Sequence, residues 1–415
     1  MTSVRNRLQP LSGNRWLLFL AIALVTAACS PKLQPPAHPV AKEKEKPVVA
    51  NQPPKVEKPA APKVSTISLL LPFDLDHLKP GASYTSATLK EADIALDYYR
   101  GFKLALDSLT SQGYNYKLQV YDTRGDKAMA HSLANNPAVT GGDLIVGPVF
   151  PGDVKSFIGN YPNGRQPIVS PLSPAPPSNF KNPQLITVMP PLEYHAWSAA
   201  KYINDKIKPE NVFILKSGYS EENDYLIPFK KAIDSLSKKG IKVTALTVIH
   251  GQLSSLLPQL TSTGKNVFIV PATNQHFLTI TLRALDSLSA SYPVTVFGHP
   301  SWINFNFLKA DLLQRLDTHV TSADYVDYKA PATIAFMRNY RQVYKAEPTA
   351  YAIKGFDEGL YLGAQLGTDN LKNLTTTSFT GLHNTFQFQK KPGLGWINTH
   401  VTVYKYANFE LKKAE

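Results

Sequence analysis

Thr66-Ile67-Ser68-Leu69-Leu70-Leu71-Pro72 is a short apolar run closed by proline. Glu91 to Leu109 then places Ile94, Tyr98, Phe102, Ala105, Leu106 and Leu109 at helical spacing. The first stretch has the continuous apolar character of a strand buried on both faces, since a half-exposed strand would alternate. The second predicts an amphipathic helix, with Gly113 just beyond it as a stop signal. Tyr116 to Tyr121 reads as the next strand, ending at Asp122-Thr123. Asp143-Leu144-Ile145-Val146-Gly147-Pro148 reads as a third and Gln166-Pro167-Ile168-Val169-Ser170-Pro171 as a fourth. Buried strands alternating with connections of helical length predict a parallel sheet covered on both faces.

The pattern restarts after Met189-Pro190-Pro191. Tyr194 to Ile203 and Leu226 to Leu236 are helix-like, with a strand at Asn211 to Leu215 between them. Further strands are expected at Lys242 to Ile249, Asn266 to Pro271 and Pro293 to Gly298. About 350 residues from Val64 onward exceed one ordinary core. The expected fold class is therefore α/β, with two doubly wound parallel-sheet lobes and a hinge cleft between them.

The residues before this body have another character. Arg5, Arg7 and Arg15 form a basic segment, Trp16 to Val25 carries no charge, and Thr26-Ala27-Ala28 supplies small residues before Cys29, the single cysteine. That order is the order of a secretory signal. The uncharged run would span only about 15 Å as a helix, against roughly 30 Å of hydrocarbon, which argues against a permanent membrane span. Val25-Thr26-Ala27-Ala28-Cys29 resembles a bacterial lipobox, which implies cleavage after residue 28 and lipidation of Cys29. Ser30 follows, with no acidic residue close behind; by resemblance to lipoprotein sorting this favours the outer membrane. Residues 29–63 are rich in Pro, Lys, Ala and Val, without aromatic residues or glycine, and read as a disordered tether.

The whole chain carries +13. The signal segment holds three Arg and the tether seven Lys against three Glu, leaving about +6 for residues 64–415. With no Arg-rich helix, zinc spacing or RNP-like aromatic motif, nucleic acid is not an expected partner. An enzyme is not expected either. No His-x-x-x-His pair, Gly-x-Ser-x-Gly elbow or P-loop is present, and no metal or cofactor is implied. Glu221, Glu222 and Asp224 read as a solvated acidic loop, and His195 near Trp197 as a packing or hinge residue.

The order of landmarks resembles the type I periplasmic-binding-protein superfamily, which includes the leucine/isoleucine/valine-binding proteins. The resemblance runs from about Val64 to Phe409. It is carried by Leu70-Leu71-Pro72-Phe73, Tyr99-Arg100-Gly101-Phe102, Val120-Tyr121-Asp122-Thr123, Ile145-Val146-Gly147-Pro148 and Pro167-Ile168-Val169-Ser170-Pro171. Phe336, Tyr340, Tyr344, Pro348, Tyr351-Ala352 and Gly355-Phe356-Asp357 continue it. Gly381-Leu382, Phe386-Gln387-Phe388 and Gly393 resemble the closing hairpin, with Val401 to Tyr406 as the last strand. The Gly355-Phe356-Asp357 group itself reads as structural, Phe356 suiting packing and Asp357 a local hydrogen bond. The resemblance implies an N-terminal lobe of residues 64–190 plus about 325–370. The C-terminal lobe is then 191–324 plus about 371–415.

In that superfamily a ligand sits between the lobes at the ends of the strands, the crevice expected of open α/β sheets. Carried over, the candidate ligand residues are Val149, Phe150, Ser170, Leu172 and Ser173 in the first lobe. In the second they are Tyr219, Ser220, Glu221, Thr273, Asn274 and His299. The implied function is a membrane-anchored ligand-binding lipoprotein feeding an ABC permease, with a small polar or amino-acid-like ligand. One departure matters: amino-acid binders carry small polar residues where this chain has the bulky Pro148-Val149-Phe150-Pro151. The tethered fold also resembles peptidoglycan-synthase activators, whose C-terminal domain has this architecture and binds protein. The alternative is thus an envelope lipoprotein with a peptidoglycan synthase or other protein as its partner.

Overall fold

The computed structural model describes residues 63–414 apart from 79–80, 82–84, 162–163, 369–370, 373 and 375–377. The signal segment, Cys29 and nearly all of the tether lie outside the described residues.

Along the chain come β1 (Val64–Leu71), α1 (Ser86–Thr110), β2 (Asn115–Asp122), α2 (Lys127–Ala134), α3 (Pro137–Thr140), β3 (Leu144–Val146), α4 (Pro151–Gly159), β4 (Ile168–Ser170) and β5 (Leu185–Thr187). The apolar run that opens the body is β1, and it lies between β2 and β3 with parallel register, Ile67 facing Leu118 and Leu144. Its side chains divide between two cores. Ile67, Leu69 and Leu71 pack with Tyr98, Phe102 and Leu106 of α1, whereas Leu70 packs with Ala130, Val154 and Phe157 of α2 and α4. Each fully buried side chain of this size contributes roughly 1.5–3 kcal/mol, so covering both faces is what holds the strand in place. Helix α1 starts one turn before the expected Glu91, because Thr85 Oγ1 accepts the Thr88 N–H at 3.1 Å and caps it.

The second half contains α5 (Leu192–Tyr202), β6 (Asn211–Lys216), α6 (Asn223–Leu236), β7 (Lys242–Thr247), β8 (Asn266–Val270), α7 (Gln275–Ser289), β9 (Val294–Gly298), α8 (Ala310–Arg315) and β10 (His319–Ser322). Here too one strand feeds two cores: Phe213 and Leu215 pack toward α7, Val212 and Ile214 toward α5 and α6. The chain then returns through α9 (Pro331–Tyr344) and α10 (Ala350–Thr368), which pack on α1. It closes with β11 (Phe379–Thr380), β12 (Thr385–Phe386), β13 (Phe388–Lys391), β14 (Gly395–Asn398), β15 (Thr402–Ala407) and β16 (Glu410–Lys413).

Two seven-stranded sheets result, ordered β13-β14-β5-β4-β3-β1-β2 and β16-β15-β10-β9-β8-β6-β7. Two expectations are corrected by this order. Residues 388–398 belong to the first sheet rather than the second lobe, because β14 pairs in parallel with β5, Trp396 facing Ile186. The strand at Val401 to Tyr406 is not the last, since β16 pairs antiparallel with β15 and forms the sheet edge. The chain passes between the sheets at 188–191, 323–330 and 399–401. Among the described residues no helix is long and apolar enough to cross a membrane.

His195 lies just past the first crossing, buried, with Nδ1 3.1 Å from Thr321 Oγ1. Burial lowers its pKa to about 4, against 6.5 for the free side chain, with Asp324 pulling it up and His299 down. The unfolded chain therefore takes up this proton first on acidification. The contribution to stability is present above about pH 6.5 and is lost as the pH falls toward 4. Relative to wild type, His195→Gln is expected to flatten the fall in unfolding free energy between pH 6.5 and 4. Parallel pH curves for the two proteins in urea titrations would contradict this.

Candidate functional site

Strands β6, β8 and β9 are neighbours in the second sheet, so the loops leaving their C-terminal ends converge. These loops enclose a pocket of about 310 Å³ lined by Ser217, Tyr219, Glu221, Glu222, Pro271, Thr273, Asn274 and His299. Glu222 builds its floor. This carboxylate is only 6% exposed. It accepts the Ser217 N–H at 3.0 Å, the Ser217 hydroxyl at 2.7 Å and the Gly218 N–H at 3.4 Å. Glu222 is thus a buried clamp on its own loop, which corrects the expectation from sequence that Glu221, Glu222 and Asp224 form a solvated acidic loop. Gly218 takes φ +100° in this turn, a conformation other residues rarely adopt.

The other two loops are fixed as firmly. Asn274 caps α7, its Oδ1 accepting the Phe277 N–H at 3.0 Å. The Trp302 indole N–H donates to the Ala272 carbonyl at 2.9 Å and ties the loop after β9 to the loop after β8. His299 Nδ1 accepts the Ser301 N–H at 3.2 Å, and burial lowers its pKa to about 4. At neutral pH the imidazole is therefore uncharged with its proton on Nε2, a hydrogen-bond donor. Tyr219 is 60% exposed at the rim. Glu221 is exposed beside it. The Glu222 carboxylate and Ser217 hydroxyl are engaged with each other, so the pocket offers the Glu221 carboxylate, the Thr273 hydroxyl, the Asn274 amide nitrogen and the His299 imidazole donor, with Tyr219 at its mouth. Among the described residues no group of three or more His, Cys, Asp or Glu could hold a metal ion.

Five of the six second-lobe candidates, Tyr219, Glu221, Thr273, Asn274 and His299, thus meet in one pocket, while Ser220 does not line it. Ser217 and Glu222 were missed. The first-lobe candidates go elsewhere. Val149 is in the core, with Phe150 and Leu172 packed against it. Ser170 and Ser173 are 1% and 3% exposed, and the Ser173 hydroxyl accepts the Ala175 N–H. The turn that carries Val149 depends on Gly147, at φ +99°, where a methyl group would overlap the Leu70 carbonyl.

No protein-family model matches the sequence, and no curated protein matches it. Solved structures do match. A substrate-binding protein of an ABC transporter from Desulfitobacterium hafniense, in complex with Leu, aligns with TM-score 0.54 and 17% identity over 85% of this chain and 100% of its own. This chain has the type I periplasmic-binding-protein fold. A protein described as a branched-chain amino acid ABC transporter from Rhodospirillum rubrum shares the fold at TM-score 0.59 and 13% identity, over 85% of this chain and 100% of that one. So does the C-domain of LpoA from Haemophilus influenzae, a regulator of PBP1A, at TM-score 0.57 and 16% identity with the same coverage. At these identities the likeness is one of fold.

Proposed function

We propose that this protein is a ligand-binding lipoprotein of the cell envelope, of the ABC substrate-binding type and without catalytic activity. It holds a small polar, amino-acid-like ligand at the second-lobe pocket and is anchored through Cys29, in the outer membrane. The observation that carries this reading is the convergence of Tyr219, Glu221, Thr273, Asn274 and His299 on one pocket at adjacent strand ends. The Glu221 carboxylate suits a ligand ammonium, while the Thr273 hydroxyl and the His299 Nε2–H suit a ligand oxygen. Tyr219 would cover the occupant as the lobes close.

A second reading is favoured by a different observation. The first-lobe candidates are packed inward, so that lobe brings none of their donors to the pocket. The same fold then serves protein contact, with a peptidoglycan synthase as partner. A thermal-shift screen of the full-length protein against the common amino acids separates the two. A ligand at about 100 times its dissociation constant adds roughly 2.7 kcal/mol of stability. Glu221→Gln, a change at an exposed position, is expected to weaken that binding about tenfold and leave the melting temperature of the free protein unchanged. If no amino acid gives a shift while a cell-wall synthase co-purifies with the protein, the solute-binding reading fails.

A further inference from the structure

A second pocket, of about 450 Å³, lies where the two sheets are joined. Its walls come from four separate parts of the chain: Tyr325 in the crossing at 323–330, the β11–β12 segment from Thr380 to Thr385, His400 in the crossing at 399–401 with the start of β15, and Lys413 of β16. It shares no lining residue with the pocket at the ends of β6, β8 and β9.

The chemistry of this wall is distinctive. Hydroxyls and amides dominate it, and Lys413 is the one Lys, Arg, Asp or Glu side chain among the described lining residues. Lys413 faces Tyr404 across the β15–β16 ladder, and burial, together with the positive charge of Lys413, lowers the His400 pKa below its usual value. Tyr325 and Tyr404 stand with ring centroids 4.8 Å apart on the same wall, offering an apolar aromatic surface beside the polar groups. Asn384 is the independent sign of a ligand. It is only 4% exposed, and neither its amide nitrogen nor its amide oxygen has a hydrogen-bond partner within the protein. A buried amide left in that condition costs roughly 1–3 kcal/mol per group, a cost that hydrogen bonds to an occupant would offset.

We propose that this junction pocket binds a sugar acid. Its carboxylate pairs with Lys413. Its hydroxyls, each both donor and acceptor, match the threonine hydroxyls and the Asn384 amide, which likewise donates and accepts. The apolar face of the sugar ring lies on the tyrosine pair, as amphipathic rings do on aromatic surfaces. A simple carboxylate would use only Lys413, and a neutral sugar would forgo it. An occupant of this pocket touches two of the passages between the sheets, so its binding biases the angle between the lobes.

Saturation-transfer NMR and calorimetry on the full-length protein test this with D-glucuronate, D-glucose and acetate. Glucuronate is expected to bind at least tenfold more tightly than either of the others. Lys413→Ala should reduce glucuronate to the level of glucose, and Lys413→Arg should restore most of the difference. Thr273→Val, in the strand-end pocket, should leave glucuronate affinity unchanged. The proposal is overturned if glucuronate does not bind, if acetate or glucose binds as well as glucuronate, or if Lys413→Ala has no effect. Loss of binding in Thr273→Val would assign the ligand to the other pocket and overturn it equally.

Discussion

Replacing Gly355 with alanine is expected to destabilise the protein by about 3 kcal/mol, at the upper end of the usual cost of overpacking a core. Gly355, Gly359, Gly363 and Gly367 recur at every fourth position of α10, and the first three form the line along which this helix lies on α1. A methyl group on Gly355 would overlap the Tyr98 carbonyl oxygen, and one on Gly101 of the facing helix would overlap the Ala352 carbonyl. Both obstacles are backbone, which cannot rotate aside. Relief requires the helices to separate, and separation unpacks Tyr98, Phe102 and Leu362 from the first core. Further along the contact the obstacles soften: a methyl group on Gly363 would stand 2.7 Å from the tip of Leu109, which can move. Gly363→Ala is therefore expected to cost less than Gly355→Ala. Gly159, at the end of α4, has nothing within 4 Å of an added methyl group. Gly159→Ala should be neutral or stabilising by up to about 1 kcal/mol. Urea unfolding of the three variants checks the order; equal effects at Gly355 and Gly159 would remove the close-packing account.

The same glycines show what the sequence makes legible. Strand β1 and helix α1 announce themselves because a continuous apolar run and a 3.6-residue apolar period are direct images of how those segments are buried. Helix α10 marks its contact face by what is missing, and a reading tuned to apolar periodicity takes only Gly355 from it. Strand β5 passes unread although β3 and β4 are equally short: those two end at a Gly-Pro or Ser-Pro stop, and Leu185–Thr187 does not. Strand β10, His319–Ser322, is buried throughout yet mostly polar, its His319 ring stacked 4.9 Å from Phe297. Pattern cannot distinguish such a strand from a loop.

The strand-end pocket is legible for a different reason. The crevice rule points at loops following β6, β8 and β9, and those loops meet because their strands are adjacent. The rule does not say which way a side chain turns. Ser170 ends β4, a strand covered on both faces, so its hydroxyl is enclosed where an exposed donor was expected. Glu222 was read as solvated because Glu221 and Asp224 flank it. Its burial depends on the N–H groups of Ser217 and Gly218, which the loop brings round to it. Composition within a loop does not reveal which of its charges faces inward.

Asp357→Ala is expected to cost about 3–5 kcal/mol, the usual result of removing one partner from a buried polar pair. Asp357 in α10 and His383 between β11 and β12 are both almost fully buried. Asp357 Oδ2 lies 2.8 Å from the His383 N–H and 2.6 Å from His383 Nδ1, so a single oxygen holds both the backbone and the ring of one residue. Gly381 belongs to the same device, since a methyl group there would overlap the carboxylate. Alanine at 357 strands the His383 N–H and ring nitrogen in a dry setting. His383→Ala removes only the ring and leaves the residue 383 N–H on the carboxylate, so it should cost less than Asp357→Ala. Asp357→Leu combined with His383→Phe removes the carboxylate and the ring while keeping volume but still leaves the residue 383 N–H without its acceptor, so it is expected to recover part of the loss, with a measurable coupling energy in a double-mutant cycle. Additive single effects would show that the two residues act independently. Asp357 Oδ1 and His383 Nε2 make no hydrogen bond within the protein, so this pair is an expensive way to gain stability. What it provides is position, because it fixes the β11–β12 segment that carries Thr380, Asn384 and Thr385 into the junction pocket. The apolar double variant should therefore regain stability more fully than it regains glucuronate binding.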